Sequence, residues 1–376
     1  MNKLLNQREY QICNRCIMDT TDPDIVFDEH GYCNHCTDAL ELSKDLWFPN
    51  AEGERKLKDI FAEIKKEGYG KEYDCIIGLS GGVDSSYLAY TAVKACLRPL
   101  IVHIDCGWNS ESAVKNIENI VTALNLELHT HVVDWEEMKD LQVAYLKANV
   151  ANQDVPQDHA IFAALYTFAV KNEVKYVLTG SNFATESILP SSWGYNALDY
   201  RNLISIHKKF GSKKLKTYPY VTFIKRYIYY TLIKKMIIVK PLNYMLYSKE
   251  NAMKIMTNEL GWRYYGGKHH ESRFTKFFQA YYLPVKFGYD KRRSHLSSMI
   301  ISGQMTRDKA IREMENGSFN ETELKEEMEY VAKKLDMTTA ELQTLMNEPN
   351  KSYKDFSSNE WLFKLGFKVR RRIFGK

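Results

Sequence analysis

The sequence predicts an α/β protein: a doubly wound, mostly parallel sheet, with a small cysteine ribbon before it and a helical region after it. Three observations predict this. Between residues 52 and 180, short apolar runs alternate with amphipathic stretches of helical period, the pattern of strand and crossover helix. One such run, Cys75-Ile76-Ile77-Gly78-Leu79, ends in Ser80-Gly81-Gly82-Val83-Asp84-Ser85-Ser86, a glycine turn that feeds a helix. Two Cys-x-x-Cys pairs, Cys13/Cys16 and Cys33/Cys36, stand close together near the N-terminus.

Composition sets the class. The chain has 376 residues, is 44% hydrophobic and 26% charged, and so carries enough apolar material for a large core. Its net charge of +5 is small but unevenly placed. An apolar signal-like run is missing from the N-terminus, and no segment reaches the ~18 uninterrupted apolar residues of a membrane span. A cytoplasmic protein is expected. Four of the seven cysteines fall into the two pairs, which excludes a disulfide scaffold.

In chain order, the two cysteine knuckles have the spacing of a tetrahedral site. Four thiolates satisfy Zn²⁺ and leave no position open for water, so Cys13, Cys16, Cys33 and Cys36 are expected to hold a structural ion. Free thiols or a redox pair are the alternatives. The segment between the knuckles reads as turn, short strand and return, and from Cys13 to Cys36 the only Lys or Arg is Arg15, among several acids. That argues against nucleic acid and for docking onto a protein surface. Residues 52–66 form an amphipathic helix whose face is Leu57, Ile60, Phe61 and Ile64. Pro99 stops the helix that begins at Val83, and 100–105 is a second strand. Ser110 caps a helix reaching about Leu124, 127–133 is a third strand, 134–150 and 157–171 are helical, and 175–180 is a further strand. The expected divisions are a zinc ribbon (1–50), a nucleotide-binding α/β domain (51–210), a basic and aromatic substrate region (211–300) and a helical region with a basic tail (301–376).

The glycine turn carries the chemistry. Unpaired N–H groups at a helix start converge on one spot, where the helix dipole also favours negative charge, so a phosphate suits it. Gly81 and Gly82 allow close approach, while Ser80, Ser85 and Ser86 add hydroxyl donors. Asp84 beside phosphates calls for Mg²⁺ between them. The lysine of a Walker A loop is absent. Ligands of such sheets lie beyond the carboxyl ends of the strands, where the sequence places 80–86, Asp105 and the stretch from Thr179 and Gly180 to Glu186. Taken alone, an Asp after a strand is more often a turn residue or helix cap.

Outside the turn, several segments invite a role. The 186–200 loop, with Trp193 and Tyr195, suits a sugar or base face, or simple packing. Residues 201–249 contain no Asp or Glu but recurring Lys, Arg and Tyr, a pattern shared by RNA-binding surfaces, anionic membrane contacts and solvated basic faces. The tail 361–376, with Arg370-Arg371-Arg372, repeats that mixture. Gly266-Gly267-Lys268-His269-His270-Glu271-Ser272-Arg273 reads as a loop that brings positive charge to a departing pyrophosphate through Lys268. His269, His270, Glu271 and Arg273 are candidates for substrate contact, and 291–295 for a second phosphate-facing wall. Beyond 297 the chain is helical, with a Thr338/Glu341 capping box.

The run Ser80 to Ser85 resembles the SGGxDS signature of the PP-loop ATP pyrophosphatases, which cleave ATP between the α and β phosphates and adenylate an oxygen of their substrate. The knuckles, the loop and the Gly-Gly-Lys-His-His-Glu-Ser-Arg segment, in that order over about 13–298, resemble the N-acetyl sugar amidotransferases of bacterial surface-polysaccharide biosynthesis. The resemblance implies ATP held by 80–86 with Asp105 and Gly180, and Asp84 and Lys268 as catalytic groups. It also implies a nucleotide-activated N-acetyl sugar near Glu186, Trp193, Tyr195, His269, His270, Glu271 and Arg273. Its acetamido oxygen would be adenylated and displaced by ammonia to leave an acetamidino group. A cysteine nucleophile in a glutaminase context is absent from the sequence, so ammonia is expected from a separate glutaminase, with a cyclase-like channelling subunit, and the protein could sit peripherally at the inner membrane face. Two other readings stay open: a tRNA-modifying PP-loop enzyme, either thiolating with Cys106 as sulfur carrier or lysidine-forming, and a non-catalytic zinc-ribbon adaptor.

Overall fold

The computed structural model describes residues 8–267, 270–316 and 319–366. Five parallel strands, β1 (Cys75–Gly78), β2 (Pro99–Asp105), β3 (Leu128–Val132), β4 (Tyr176–Leu178) and β5 (Ile237–Val239), form one sheet in the order β3-β2-β1-β4-β5. In the central pairings, Cys75 lies opposite Pro99 on one side and Tyr176 on the other. Both β1 and β2 are apolar and buried along most of their length, as a parallel strand covered on both faces requires. Helices Trp135–Ala148 and Val155–Lys171 supply Leu141, Ala144, Ala160 and Ala163 to the core on one face. Helices Ala51–Glu67, Val83–Lys94, Glu111–Ala123 and Lys249–Leu260 cover the other through Phe61, Leu88, Ile120 and Met256.

The strand order fixes where a ligand can go. From β1 the chain winds outward to β2 and β3, then returns to place β4 and β5 on the opposite side of β1. The switch point is the crevice beyond the carboxyl ends of β1 and β4, where the turn at 80–82 and Thr179-Gly180 face each other.

Two expectations about extent change. The sheet does not end before residue 210: the basic stretch itself supplies β5, approached through a π-helical segment, Lys225–Ile233. The short strand expected between the knuckles is not formed, and the second cysteine pair leads into a helix, Asn34–Leu46; the Cys33 side chain accepts the N–H of Cys36, so the knuckle doubles as the helix cap. Only the isolated bridges Ile12–Asp19 and Phe27–Cys33 represent β structure in the described part of the ribbon. The capping box at Thr338 and Glu341 is present. The aromatic helix continues from Arg273 through a π turn at Phe278–Tyr282 to Phe287. Its Phe274, Phe277 and Phe278 pack with Trp108, Met328, Val331 and Leu342, a third core that joins the C-terminal helices to the sheet domain.

His159 is fully buried and bridges two loops: its Nδ1–H donates to the Ala197 carbonyl at 2.8 Å, and Nε2 accepts the Val221 N–H at 3.1 Å. Burial pushes its pKa down to about 4. A depressed imidazole pKa stabilises the fold fully above the unfolded value of about 6.5, and that contribution, on the order of 3 kcal/mol, is lost as pH falls towards 4. Thermal unfolding between pH 7 and 4 should show this loss in the wild type, and H159Q should flatten it.

Candidate active site

At the switch point the glycine turn is held by groups far apart in sequence. Gly81 has φ +79°, and a Cβ there would stand 2.5 Å from the Ala113 carbonyl oxygen, so only glycine fits. The Gly81 carbonyl accepts from the Trp262 indole N–H at 2.9 Å. Inside the turn, the Gly82 N–H donates to Ser80 Oγ at 3.2 Å, and Ser85 Oγ lies 3.1 Å from Ser80 Oγ. Gly180 closes against the start of the following helix: a Cβ there would lie 2.8 Å from the Asp84 carbonyl carbon and the Ser85 nitrogen. The Tyr247 hydroxyl donates to Asp84 Oδ1. Burial first, and Asp84 second, raise the Tyr247 pKa well above its usual value, so Tyr247 remains a donor.

The turn forms one end of a cavity of about 700 Å³. Ser80, Gly82, Val83, Asp84, Ser85, Thr179, Gly180 and Asn182 line the end near the strands. Opposite stand Asp154, Gln157 and Asp158 from the start of the Val155–Lys171 helix, with Glu271, Ser272, Thr275 and Gln279 from the C-terminal segment. The segment is seated by backbone pairing: Ser110 N–H donates to the Glu271 carbonyl and Arg273 N–H to the Trp108 carbonyl, each at 2.8 Å. That places Glu271 Oε1 where it would stand 2.8 Å from a Cβ at Gly82. Asp154, 6% exposed, accepts from Thr275 Oγ1 at 2.9 Å and Gln279 Nε2 at 3.1 Å. Ser272 Oγ donates to Gln157 Oε1 at 3.1 Å, leaving the buried Gln157 Nε2 without a partner among the described protein atoms. This end can therefore meet hydroxyls, amides and carbonyls of an acceptor.

Among the residues named from sequence, Ser80, Gly82, Val83, Asp84, Ser85, Gly180, Glu186 and Glu271 come together at the cavity, and Glu186 accepts from Ser181 Oγ at 2.8 Å. Gly81 and Ser86 lie behind the lining, Gly81 shaping the turn and Ser86 fully buried. Asp105 is corrected to a turn residue: its carboxylate accepts the Gly107 N–H at 2.7 Å, away from the lining. Trp193 is corrected from substrate wall to core, being fully buried and stacked on Tyr289 at 5.4 Å. Tyr195 stacks on Tyr353 at 4.4 Å beside a second, smaller hollow. Arg273 is held by Glu327 at 3.1 Å and lies 3.4 Å over the Tyr330 ring, which makes it a clamp between helices. His270 packs against Gly267 and is not part of the lining. Lys268 and His269 lie outside the described residues. Of the 291–295 run, Lys291, Ser294 and His295 reach the cavity, whereas Arg293 pairs with Asp19 at 3.0 Å. Sequence reasoning gave no role to Tyr247, Trp262, Asp154, Gln157 or Lys240; the pairs Asp154/Gln157 and Asp158 at a helix start were the one available signal.

The four N-terminal cysteines are fully buried, with ligand atoms all within 4.8 Å of one another. Cys13 Sγ and Cys36 Sγ are 3.7 Å apart, and Cys16 Sγ and Cys33 Sγ 3.6 Å. Four thiolates bonded at about 2.3 Å to one tetrahedral ion would lie about 3.8 Å apart, so the set fits Zn²⁺. Backbone N–H groups of Arg15, Cys16 and Cys33 point at Cys13 Sγ, stabilising thiolate charge. Arg307 donates to the Cys13 and Cys16 carbonyls, Ser297 Oγ accepts the Ile17 N–H, and Ser192 Oγ donates to Asp22, so the ribbon is docked onto the body of the protein. Its helix sends Leu42 and Leu46 to the cavity wall.

The Gly180 contact gives a direct test of the turn. G180A should force its methyl into the backbone of Asp84 and Ser85, costing roughly 1–3 kcal/mol in stability. ATP affinity measured by calorimetry should fall at least about tenfold, with the far-ultraviolet circular dichroism retained.

Parts of the chain are similar to known proteins. Residues 55–222 match the NAD synthase family, and residues 271–370 match the family described as LPS biosynthesis protein WbpG-like, C-terminal domain. The NH3-dependent NAD+ synthetase of Pyrococcus furiosus is 24% identical over 155 residues, 41% of this chain and 57% of the relative. That of Pyrococcus horikoshii is 24% identical over 135 residues, 35% of this chain and 52% of the relative. The chain thus spans about half the length of the curated relatives it matches. Among solved structures, NMN synthetase from Francisella tularensis aligns at 17% identity over 58% of this chain and 94% of its own, TM-score 0.29. An NH3-dependent NAD synthetase from Campylobacter jejuni aligns at 16% identity over 41% of this chain and 72% of its own, also TM-score 0.29. Residues 55–222, which carry the glycine turn at the switch point, are thus similar to the NAD synthase family, and residues 271–370 to the WbpG-like C-terminal domain.

Proposed function

We propose that this protein is the adenylating component of an ATP-dependent amidotransferase acting on a nucleotide-activated N-acetyl sugar in surface-polysaccharide synthesis. The supporting observation is that both matched regions build one cavity. The NAD synthase-type region contributes the PP-loop, and Glu271, the first residue of the WbpG-like region, stands against Gly82 within it. An ATP-cleaving site is thereby walled by a segment whose family is tied to LPS biosynthesis.

In this reading the acceptor's acetamido oxygen attacks the α-phosphate and pyrophosphate leaves; ammonia then attacks the imidate carbon and AMP leaves, giving an acetamidino group. The turn's N–H groups and the Ser80 and Ser85 hydroxyls bind and align the phosphates. Asp84, aimed by Tyr247, is the residue that would hold Mg²⁺, which when bound neutralises charge between the carboxylate and the phosphates. Gln157, Asp154 and Gln279 orient the acceptor. Glu186 and Glu271 supply carboxylates in the same cavity, where the proton released by ammonia must be taken up. Lys240 and Lys291 line the cavity and bring positive charge to the separating pyrophosphate. Ammonia comes from a separate glutaminase. A sulfur-carrier role for Cys106 is disfavoured: it is 4% exposed, and burial, then Asp105 and Asp158, push its thiol pKa up, away from the reactive thiolate. The Cys13/Cys16/Cys33/Cys36 site binds zinc and serves to fold the ribbon.

Incubation with MgATP, ammonium chloride and UDP- or CMP-linked diacetamido sugars should yield AMP and pyrophosphate, and mass spectrometry should find one oxygen of the sugar replaced by NH. D84N should slow this on the order of a hundredfold or more. Pyrophosphate release driven by bulk tRNA and indifferent to every sugar would overturn the reading in favour of tRNA modification.

Metal analysis of freshly purified protein should find one zinc per chain. C16S should lose it and lower the melting temperature by several degrees, because the ion ties together a core that includes Trp193 and Phe183.

A further inference from the structure

Two stretches far apart in sequence, neither used by the active site, meet on the surface. The first is the π-helical segment Lys225–Ile233 with its approach. Ile224, Ile228 and Leu232, spaced four residues apart, are 66%, 44% and 68% exposed, and Ile233 is 63% exposed beside them. Tyr227 and Tyr229 flank this ridge, each more than a third exposed. The second is the last described helix, 360–366. Its Phe363 packs against Phe223 at 5.4 Å and Tyr227 at 5.8 Å, bringing the exposed Trp361 and Leu365 alongside the ridge.

Charge follows the same surface. The ridge's cations are directed at aromatic rings: Lys225 lies 5.6 Å from the Tyr230 ring, Arg226 4.7 Å from Tyr166, and Lys234 5.7 Å from Tyr229. Lys234 and Lys235 are exposed. Residues 201–249 contain no Asp or Glu, and on the last described helix Lys364 pairs with Glu360 at 2.7 Å. Among the described residues no helix is long and apolar enough to cross a membrane.

We propose that this surface is a peripheral membrane-binding face that lies on an anionic bilayer. Aliphatic side chains at the crest enter the acyl boundary, tyrosines and Trp361 occupy the headgroup layer, and Lys234 and Lys235 pair with lipid phosphates. A nucleic acid would use the cations and tyrosines but gains nothing from an exposed Ile224, Ile228, Leu232 and Ile233 ridge. The face is independent of the identity of the sugar acceptor.

Co-sedimentation of the full chain with phosphatidylcholine vesicles, with and without phosphatidylglycerol, tests it. Binding should require phosphatidylglycerol and weaken with added salt. Both the I228D/L232D pair and the K234E/K235E pair should reduce partitioning at least about tenfold while ATP affinity stays unchanged, which reports an intact fold. Absence of phosphatidylglycerol-dependent binding overturns the proposal. So does wild-type binding by the I228D/L232D variant, or loss of RNA binding in these variants with vesicle binding intact, which assigns the face to nucleic acid.

Discussion

A short antiparallel pairing between the loop after β2 and the segment at Glu271 governs the site. Its bridge joins Asn109 to Ser272, with the Ser110–Glu271 and Arg273–Trp108 hydrogen bonds on either side. Each such bond is worth only about 1 kcal/mol net, yet together they set the register of a segment entering from outside the sheet. The aromatic run that follows buries Phe274, Phe277 and Phe278 against Trp108, and Arg273 is clamped by Glu327 and Tyr330. Large side chains thus lock what the backbone bonds align. Without that alignment Glu271 would not reach Gly82, and the glycine turn would face open solvent on one side.

The ribbon works on the same cavity from the other direction. Its cysteine cluster lies in a core shared with Phe183, Ile188 and Trp193, all on the loop that follows β4. The fourth strand's loop is therefore packed from behind by the cysteine site, and the ribbon helix adds Leu42 and Leu46 to the cavity wall. Polar contacts fix the arrangement: Arg307 reads the carbonyls of the first knuckle, and Arg293 reaches Asp19. An ion bound by the four thiolates would act at a distance from the chemistry, holding Gly180 and Glu186 in place through packing.

The sheet domain was legible because its signals are local. Apolar runs ended by Gly or Pro, a Ser110 cap and a glycine turn each act within a few residues, and the strands and helices between 51 and 178 follow from them. What was not legible depends on partners distant in sequence. Nothing in Met245-Leu246-Tyr247 announces a donor to Asp84, because the hydroxyl matters only after the Lys249–Leu260 helix packs on the sheet. Trp193 and Tyr195 have the composition of a binding loop, and only tertiary packing turns Trp193 into core against Tyr289 and stacks Tyr195 on Tyr353. Asp105 and Arg273 were misjudged for a related reason: a carboxylate or a guanidinium next to a motif is as readily consumed by a turn N–H or a buried Glu as offered to a ligand. The fifth strand went unseen because Ile237-Ile238-Val239 is three residues long and surrounded by lysines.

These features explain how one nucleotide-binding fold can be redirected without altering its phosphate chemistry. The turn, its glycine contacts and Asp84 occupy the switch point, where strand order alone creates the crevice. The opposite wall is shared: Asp154, Gln157 and Asp158 come from the NAD synthase-type region, Leu42 and Leu46 from the ribbon, and Glu271, Ser272, Thr275 and Gln279 from the C-terminal segment. Asp154 shows the coupling most directly, since both of its carboxylate oxygens are taken by Thr275 and Gln279. A residue of the sheet domain is thereby oriented by the appended one. In the proposed reaction, changing the appended segment changes the hydrogen-bonding pattern offered to an acceptor while leaving Ser80 to Ser86 untouched, so acceptor choice and phosphate alignment can vary separately.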